Sequence, residues 1–92
     1  MLGDTIQLLR AGKNVTAQQL ADAIDVSPLA IKKYEANIWR PGKPTMLKLA
    51  KYFGITLQEL SEGYNFLVDD DTNEVLIVRN MGENKIRAVG KL

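Results

Sequence analysis

The sequence predicts a mainly α fold, a domain of five short helices that includes a helix-turn-helix, followed by a small antiparallel β element. Three observations predict it. Between residues 4 and 62 apolar side chains recur at helical spacing in short runs separated by capping residues. The stretch 15–35, VTAQQLADAIDVSPLAIKKYE, reads as two short helices joined by a turn too tight for anything but a fixed crossing. From residue 65 onward the pattern changes to β-branched runs broken by turn-rich segments.

In helix one, Asp4 or Thr5 is the candidate cap, Ile6 and Leu9 point inward with Leu2, and Gly12 is expected to end the helix at the turn Gly12-Lys13-Asn14. Thr16 caps helix two, whose apolar stripe is Leu20, Ala21 and Ile24, with Gln18, Gln19 and Asp22 left to solvent. Asp25-Val26 makes the turn. Ser27-Pro28 then restarts the chain with an N-cap serine and a proline at the first helical position, where a missing N–H costs nothing. Helix three turns Ile31, Tyr34 and Glu35 inward and leaves Pro28, Leu29, Lys32, Lys33 and Ala36 outside or on its flanks.

Helix four is expected from Pro44 or Thr45 to Tyr52, with Met46, Leu47, Leu49, Ala50 and Phe53 toward the core and Gly54 as its stop. Helix five opens on the capping-box spacing Thr56 to Glu59, contributes Leu57 and Leu60 to the core and ends at Gly63. Asn65 to Asp69 and Glu74 to Asn80 read as a hairpin around Asp70-Asp71-Thr72-Asn73, and Lys85 to Leu92 as a third strand after Met81-Gly82-Glu83-Asn84. The division expected is a helical domain over 1–64 and a β element over 65–92.

Composition narrows the function. The chain has 92 residues, 46% of them hydrophobic, and no apolar run near the roughly 20 residues that span a bilayer. No secretory signal is visible, and a cysteine-free chain suits the cytoplasm. Without Cys or His there are no disulfides, no thiol nucleophiles and none of the usual zinc sites, so neither an enzyme nor a cofactor or metal protein is expected. Asp69-Asp70-Asp71 is no exception, because consecutive carboxylates at a strand end cannot all face one ion. The net charge is only +1, but residues 32–51 hold Lys32, Lys33, Arg40, Lys43, Lys48 and Lys51 against the one acid Glu35. Residues 65–92 carry four cations against five acids. Positive charge is therefore concentrated on helix three and the loop after it.

The series Ile6-Gln7-Leu8-Leu9-Arg10, Val15-Thr16, Leu20-Ala21, Val26-Ser27, Ile31, Tyr34-Glu35, Pro41, Leu47-Lys48-Leu49-Ala50 and Phe53-Gly54-Ile55 resembles the phage repressor and Cro-like (Xre-type) helix-turn-helix family, lambda-repressor-like in fold. The resemblance covers residues 4–62, about two-thirds of the chain. It implies a transcription regulator, a dimeric repressor that binds double-stranded DNA by inserting the 27–36 helix into the major groove. It puts Pro28, Leu29, Lys32 and Lys33 at base edges. Lys33 can donate to guanine O6 or N7 or meet a phosphate, whereas Pro28 and Leu29 depart from the polar residues of many relatives and offer apolar contact to a thymine methyl.

Contacts to the DNA backbone need only positive charge and polar groups at the right edge, and Thr16, Gln18, Ser27, Lys32, Arg40 and Lys43 are the candidates, Lys43 at a position where relatives often have an apolar residue. Gln18 stands one residue after the position, here Ala17, at which relatives often place a phosphate-binding glutamine. The resemblance implies a buried ion pair between Arg10 and Glu35, and a left-handed backbone at Asn37, where the family usually has glycine. Trp39 has two readings, packing at the rim of the core or forming a platform against DNA or a second subunit.

The β element poses its own question. Val75-Leu76-Ile77-Val78 is an apolar run that two or three strands cannot bury alone. A second copy is the favoured cover, since Cro-like relatives can dimerise through a C-terminal strand, and Phe66, Val68, Val75, Leu76, Ile77 and Val78 are then the dimerisation residues. The other reading packs the sheet on helices one and five of the same chain. An alternative function for the same fold is a protein-interaction module of antitoxin or anti-repressor type, with a protein partner at the β element.

Overall fold

Local capping sets most of the helix boundaries. In the computed structural model, which describes residues 2–61, 65–81 and 83–92 (side chains at 65, 78–81 and 83–86 excepted), the elements are α1 (Leu2–Lys13), α2 (Ala17–Ile24), α3 (Pro28–Glu35), α4 (Lys43–Phe53), α5 (Leu57–Ser61), β1 (Asn65–Val68), β2 (Glu74–Met81) and β3 (Glu83–Lys91). Thr16 caps α2 in a complete capping box with Gln19, and Ser27 Oγ accepts the Ala30 N–H at 3.1 Å with Pro28 opening α3. A second box opens α5, where Thr56 N–H donates to Glu59 Oε1 and Glu59 N–H to Thr56 Oγ1. Gly54, at φ 69°, closes α4 with its N–H turned back to the Ala50 and Lys51 carbonyls.

α1 departs from expectation at both ends. It begins at Leu2, ahead of Asp4 and Thr5, because a distant residue satisfies its first turn: the Gly3 N–H donates to Asn37 Oδ1 at 2.8 Å. It also runs through Gly12 to Lys13, and Asn14, with a φ of 56°, provides the left-handed turn that ends it. Gly12 is buried and admits close packing instead of ending the helix. Within α4, Leu47 is exposed and does not face the core, because the stripe Met46, Leu49, Ala50 and Phe53 follows i, i+3, i+4, i+7 and leaves Leu47 about 100° to one side. Ala30, which the pattern did not single out, is buried with Ile31.

Ile6 and Leu9 of α1, Leu20 of α2, Ile31 of α3, Leu49 of α4 and Leu60 of α5 are all essentially inaccessible and form one cluster with Ile77 of β2. Each such side chain contributes about 1.5–3 kcal/mol of burial. Lys13 also lies over the Tyr52 ring, 4.9 Å from its centroid, and ties α1 to α4.

The sheet is antiparallel in the order β1-β2-β3. Phe66 pairs with Ile77 and Val68 with Val75; across the sheet Val75 faces Gly90 and Leu76 faces Ala88, so Val89 forms a bulge. In the hairpin, Asp69 Oδ1 accepts the Asp71 N–H at 2.9 Å and Asn73 adopts φ 59°. Period-two alternation sends Val75 and Ile77 to one face and Leu76 to the other.

That inner face is covered by the chain's own α1, not by a second copy. Val75 and Ile77, expected among the dimerisation residues, are completely buried within the subunit. Two glycines permit the fit: a methyl on Gly90 would lie 2.6 Å from the backbone C and O of Gly12, and one on Gly12 would lie 2.7 Å from Val75 Cγ2. The expected helix end at Gly63, the boundary at Tyr64 and the turn residue Gly82 lie outside the described residues.

Because the Gly90 clash is with backbone that cannot rotate away, Gly90→Ala is expected to cost about 1–3 kcal/mol. The check is urea unfolding, in which the midpoint should fall without a change in slope.

Candidate nucleic-acid interface

α3 is held at both ends, so one of its faces is committed to the protein and the other is free. At its start, Asp25 takes φ 58° and its N–H, like that of Val26, returns to the Ala21 carbonyl, so the turn between α2 and α3 has a single geometry. At its end, Glu35 receives Arg10 of α1 in a two-pronged pair, Nε to Oε2 at 2.9 Å and Nη2 to Oε1 at 2.9 Å. The third prong, Arg10 Nη1, donates to the Val15 carbonyl at 3.1 Å. The side chains are 23% and 11% exposed, so the pair is largely withdrawn from water. The hydrogen bond that Arg10 donates to Glu35 lifts the Arg10 pKa above its ordinary value against the opposing effect of burial, and the guanidinium stays charged at any working pH.

A second fastening lies one turn on. Asn37, at φ 60°, accepts the Gly3 N–H, and Gly3 packs so close to α3 that an added methyl would sit 2.5 Å from the Tyr34 and Glu35 carbonyls. The N–H groups of Ile38 and Trp39 then both donate to the Lys33 carbonyl, at 2.9 and 3.2 Å, which folds the following loop back over the helix end.

Opposite the buried Ala30 and Ile31, Pro28, Leu29, Lys32 and Lys33 stand at i, i+1, i+4 and i+5 on one side of α3, with Glu35 on its flank. Leu29 and Lys32 are exposed, and Pro28 and Lys33 half-buried. Thr16, Gln18, Ser27, Arg40 and Lys43 are exposed around them, and Gln18 donates its amide to Asp22 Oδ1 at 3.0 Å along α2. Arg40 and Lys43 border one cavity of about 250 Å³ with Pro41 and Met46. The two ion pairs seen among the described residues, Arg10–Glu35 and Arg87–Glu59, use none of the cations of residues 32–51. That surface can offer ammonium and guanidinium groups, two hydroxyls and a short apolar patch to a polyanion.

The six β-element residues do not share a face. Val75 and Ile77 are internal, Phe66 is half-buried against the core, Val68 lies at the rim, Leu76 points to the outer side, and the side chain of Val78 lies outside the described residues. Sequence reasoning missed the contact that joins the two parts of the chain. Glu59, 1% exposed, accepts Arg87 Nη2 of β3 at 2.7 Å. The capping-box spacing marked Glu59 as a cap, but nothing local marks a partner 28 residues away. Among the described residues no helix is long and apolar enough to cross a membrane, and no group of three or more His, Cys, Asp or Glu could hold a metal ion.

Comparison with known proteins agrees with this geometry. The family model HTH_3, described as helix-turn-helix, matches residues 6–60. The chain is 35% identical over 69 residues to the HTH-type transcriptional activator BcrR of Enterococcus faecalis, across 75% of this chain and 34% of that protein, so it spans about a third of that relative's length. Among solved structures, the P22 c2 repressor in complex with a synthetic operator superposes with a TM-score of 0.66 at 24% identity, covering 68% of this chain and 96% of the repressor chain. The SinR–SinI complex gives 0.64 at 20% identity over 68% of this chain and 62% of that chain. At those identities the two structures establish a repressor-like fold and no more.

Arg10→Ala strands the Glu35 carboxylate and is expected to cost about 3 kcal/mol, read as a fall of more than about 10 °C in melting temperature by circular dichroism. The double variant Arg10→Met with Glu35→Leu should regain most of that loss, because it leaves no unpaired charge.

Proposed function

This chain belongs to the helix-turn-helix family HTH_3, and from that premise we propose that it is a sequence-specific, double-stranded DNA-binding transcription regulator that inserts α3 into the major groove. The observation that carries the reading is the division of α3 into an anchored face and a free one. Arg10, Gly3 and the core hold the first, while Pro28, Leu29, Lys32 and Lys33 stand on the second. Lys33 donates to guanine O6 or N7, Lys32 stands at the groove edge, and Leu29 with Pro28 packs on thymine methyl groups. Thr16, Gln18, Ser27, Arg40 and Lys43 bind phosphates on either side.

Two copies bind two half-sites about one helical turn apart and repress by occupying promoter DNA, a cytoplasmic role that requires no cofactor and no catalysis. Residues 1–64 act as the reader and 65–92 as the assembly element. With Val75 and Ile77 buried and Phe66 half-buried on the same face, assembly falls to the outer side of the sheet, where Leu67 faces Leu76. The same apolar outer side supports a second reading, an interaction module of antitoxin or anti-repressor type that docks a protein partner there.

Selection from a random duplex pool, alongside sedimentation equilibrium of the intact protein, tests the proposal. A dimer that enriches palindromic sites supports it; a monomer that enriches nothing favours the protein-partner reading. Lys33→Ala should weaken binding to the selected site by roughly 5- to 100-fold and relax discrimination at one position, measured by competition against single-base variants. Replacing the contacted thymine with uracil removes only a methyl group and should lower affinity if Leu29 packs there. In a promoter-reporter strain, expression of the chain should lower output, and a rise would make it an activator.

A further inference from the structure

Directly after α3 the loop exposes two large apolar side chains, with Ile38 62% and Trp39 48% accessible. Their backbone is not loose, since both N–H groups are bonded to the Lys33 carbonyl. With Leu2, Tyr34, Asn37 and Arg40 they border a cavity of about 320 Å³. We propose that this surface seats the sugar-phosphate strand of the duplex beside the major-groove contact, with deoxyribose faces packed on Ile38 and Trp39 and the adjoining phosphate on Arg40. The inference rests on the DNA-binding reading and adds to it a contact that is apolar and independent of base sequence.

The chemistry selects this occupant. A nucleic-acid strand alternates an apolar sugar with an anion, and the tripeptide Ile38-Trp39-Arg40 presents two apolar surfaces followed by a cation. The surroundings carry Lys32, Lys33 and Lys43, and the one acid of the segment, Glu35, is already neutralised by Arg10. A second copy of the chain meeting this surface about a two-fold axis would set those cations against their own images. A polyanion meets the opposite situation. The seat also adjoins α3 through the Lys33 carbonyl, so a duplex lying along that helix passes it. Because the loop is already ordered, little conformational freedom is lost on contact.

Trp39 is the single tryptophan of the chain, so it reports on its own burial. The intact protein would be titrated with a fluorescein-labelled duplex carrying the selected site, following duplex anisotropy and tryptophan emission in parallel. The expected result is an emission change that tracks anisotropy with the same midpoint. Trp39→Ala should then weaken binding roughly 3- to 10-fold on selected and scrambled duplexes alike, with an unaltered melting temperature. Its salt slope should be unchanged, whereas Arg40→Ala should lower the slope by about 0.9. Anisotropy that rises while tryptophan emission stays fixed, or full affinity in Trp39→Ala, overturns the seat and leaves the DNA-binding reading intact. Emission that changes with protein concentration alone assigns the surface to a second copy and overturns the seat as well. If anisotropy never rises, the DNA-binding reading itself has failed and the seat falls with it.

Discussion

The orientation of α3 is the constraint on which the rest depends. Eight residues of helix cannot hold a pose through intrinsic propensity, and burial of Ala30 and Ile31 leaves the helix free to pivot about its own axis. The Arg10–Glu35 pair prevents that pivot, because a planar guanidinium engaged by two prongs fixes direction as well as distance. Asn37 adds a second point further along, and two points define a line. The exposed face of α3 is in this sense a consequence of α1, which contributes nothing to that face itself.

α1 serves the β element too. One side of it carries Arg10 toward α3, and near its end Gly12 receives β2 and β3. The backbone-to-backbone approach at Gly12 and Gly90 leaves room for no side chain, and the buried Glu59 ties α5 to Arg87 of β3. A carboxylate that is 1% exposed is costly to bury, and here it is met by its own capping hydrogen bond as well as the guanidinium. The sheet is thus part of the same core as the helices, through Ile77, and its outer side is held in a set relation to α3.

Charge follows the same geometry. A net charge of +1 says little about a chain in which residues 32–51 gather six cations against the one acid Glu35, while Asp69, Asp70 and Asp71 stand together in the hairpin. Neutralising Glu35 internally leaves the α3 side of the molecule more positive than its composition suggests.

The sequence by itself determined the caps of α2, α3 and α5 and the alternation of the β2 strand, because each depends on residues within about four positions of one another: Thr16 with Gln19, Ser27 with Ala30, Thr56 with Glu59, and the alternation around Val75. Spacing and family resemblance also made the candidate surface on α3 legible before any coordinates. Only the tertiary structure decided that Gly12 is a packing site and not a helix end, that Leu47 looks outward, that α1 covers Val75 and Ile77, and that Glu59 meets Arg87. Those outcomes turn on which surfaces meet across long stretches of chain, and local pattern holds no record of the partner: an apolar run announces that it must be covered, and only packing says by what.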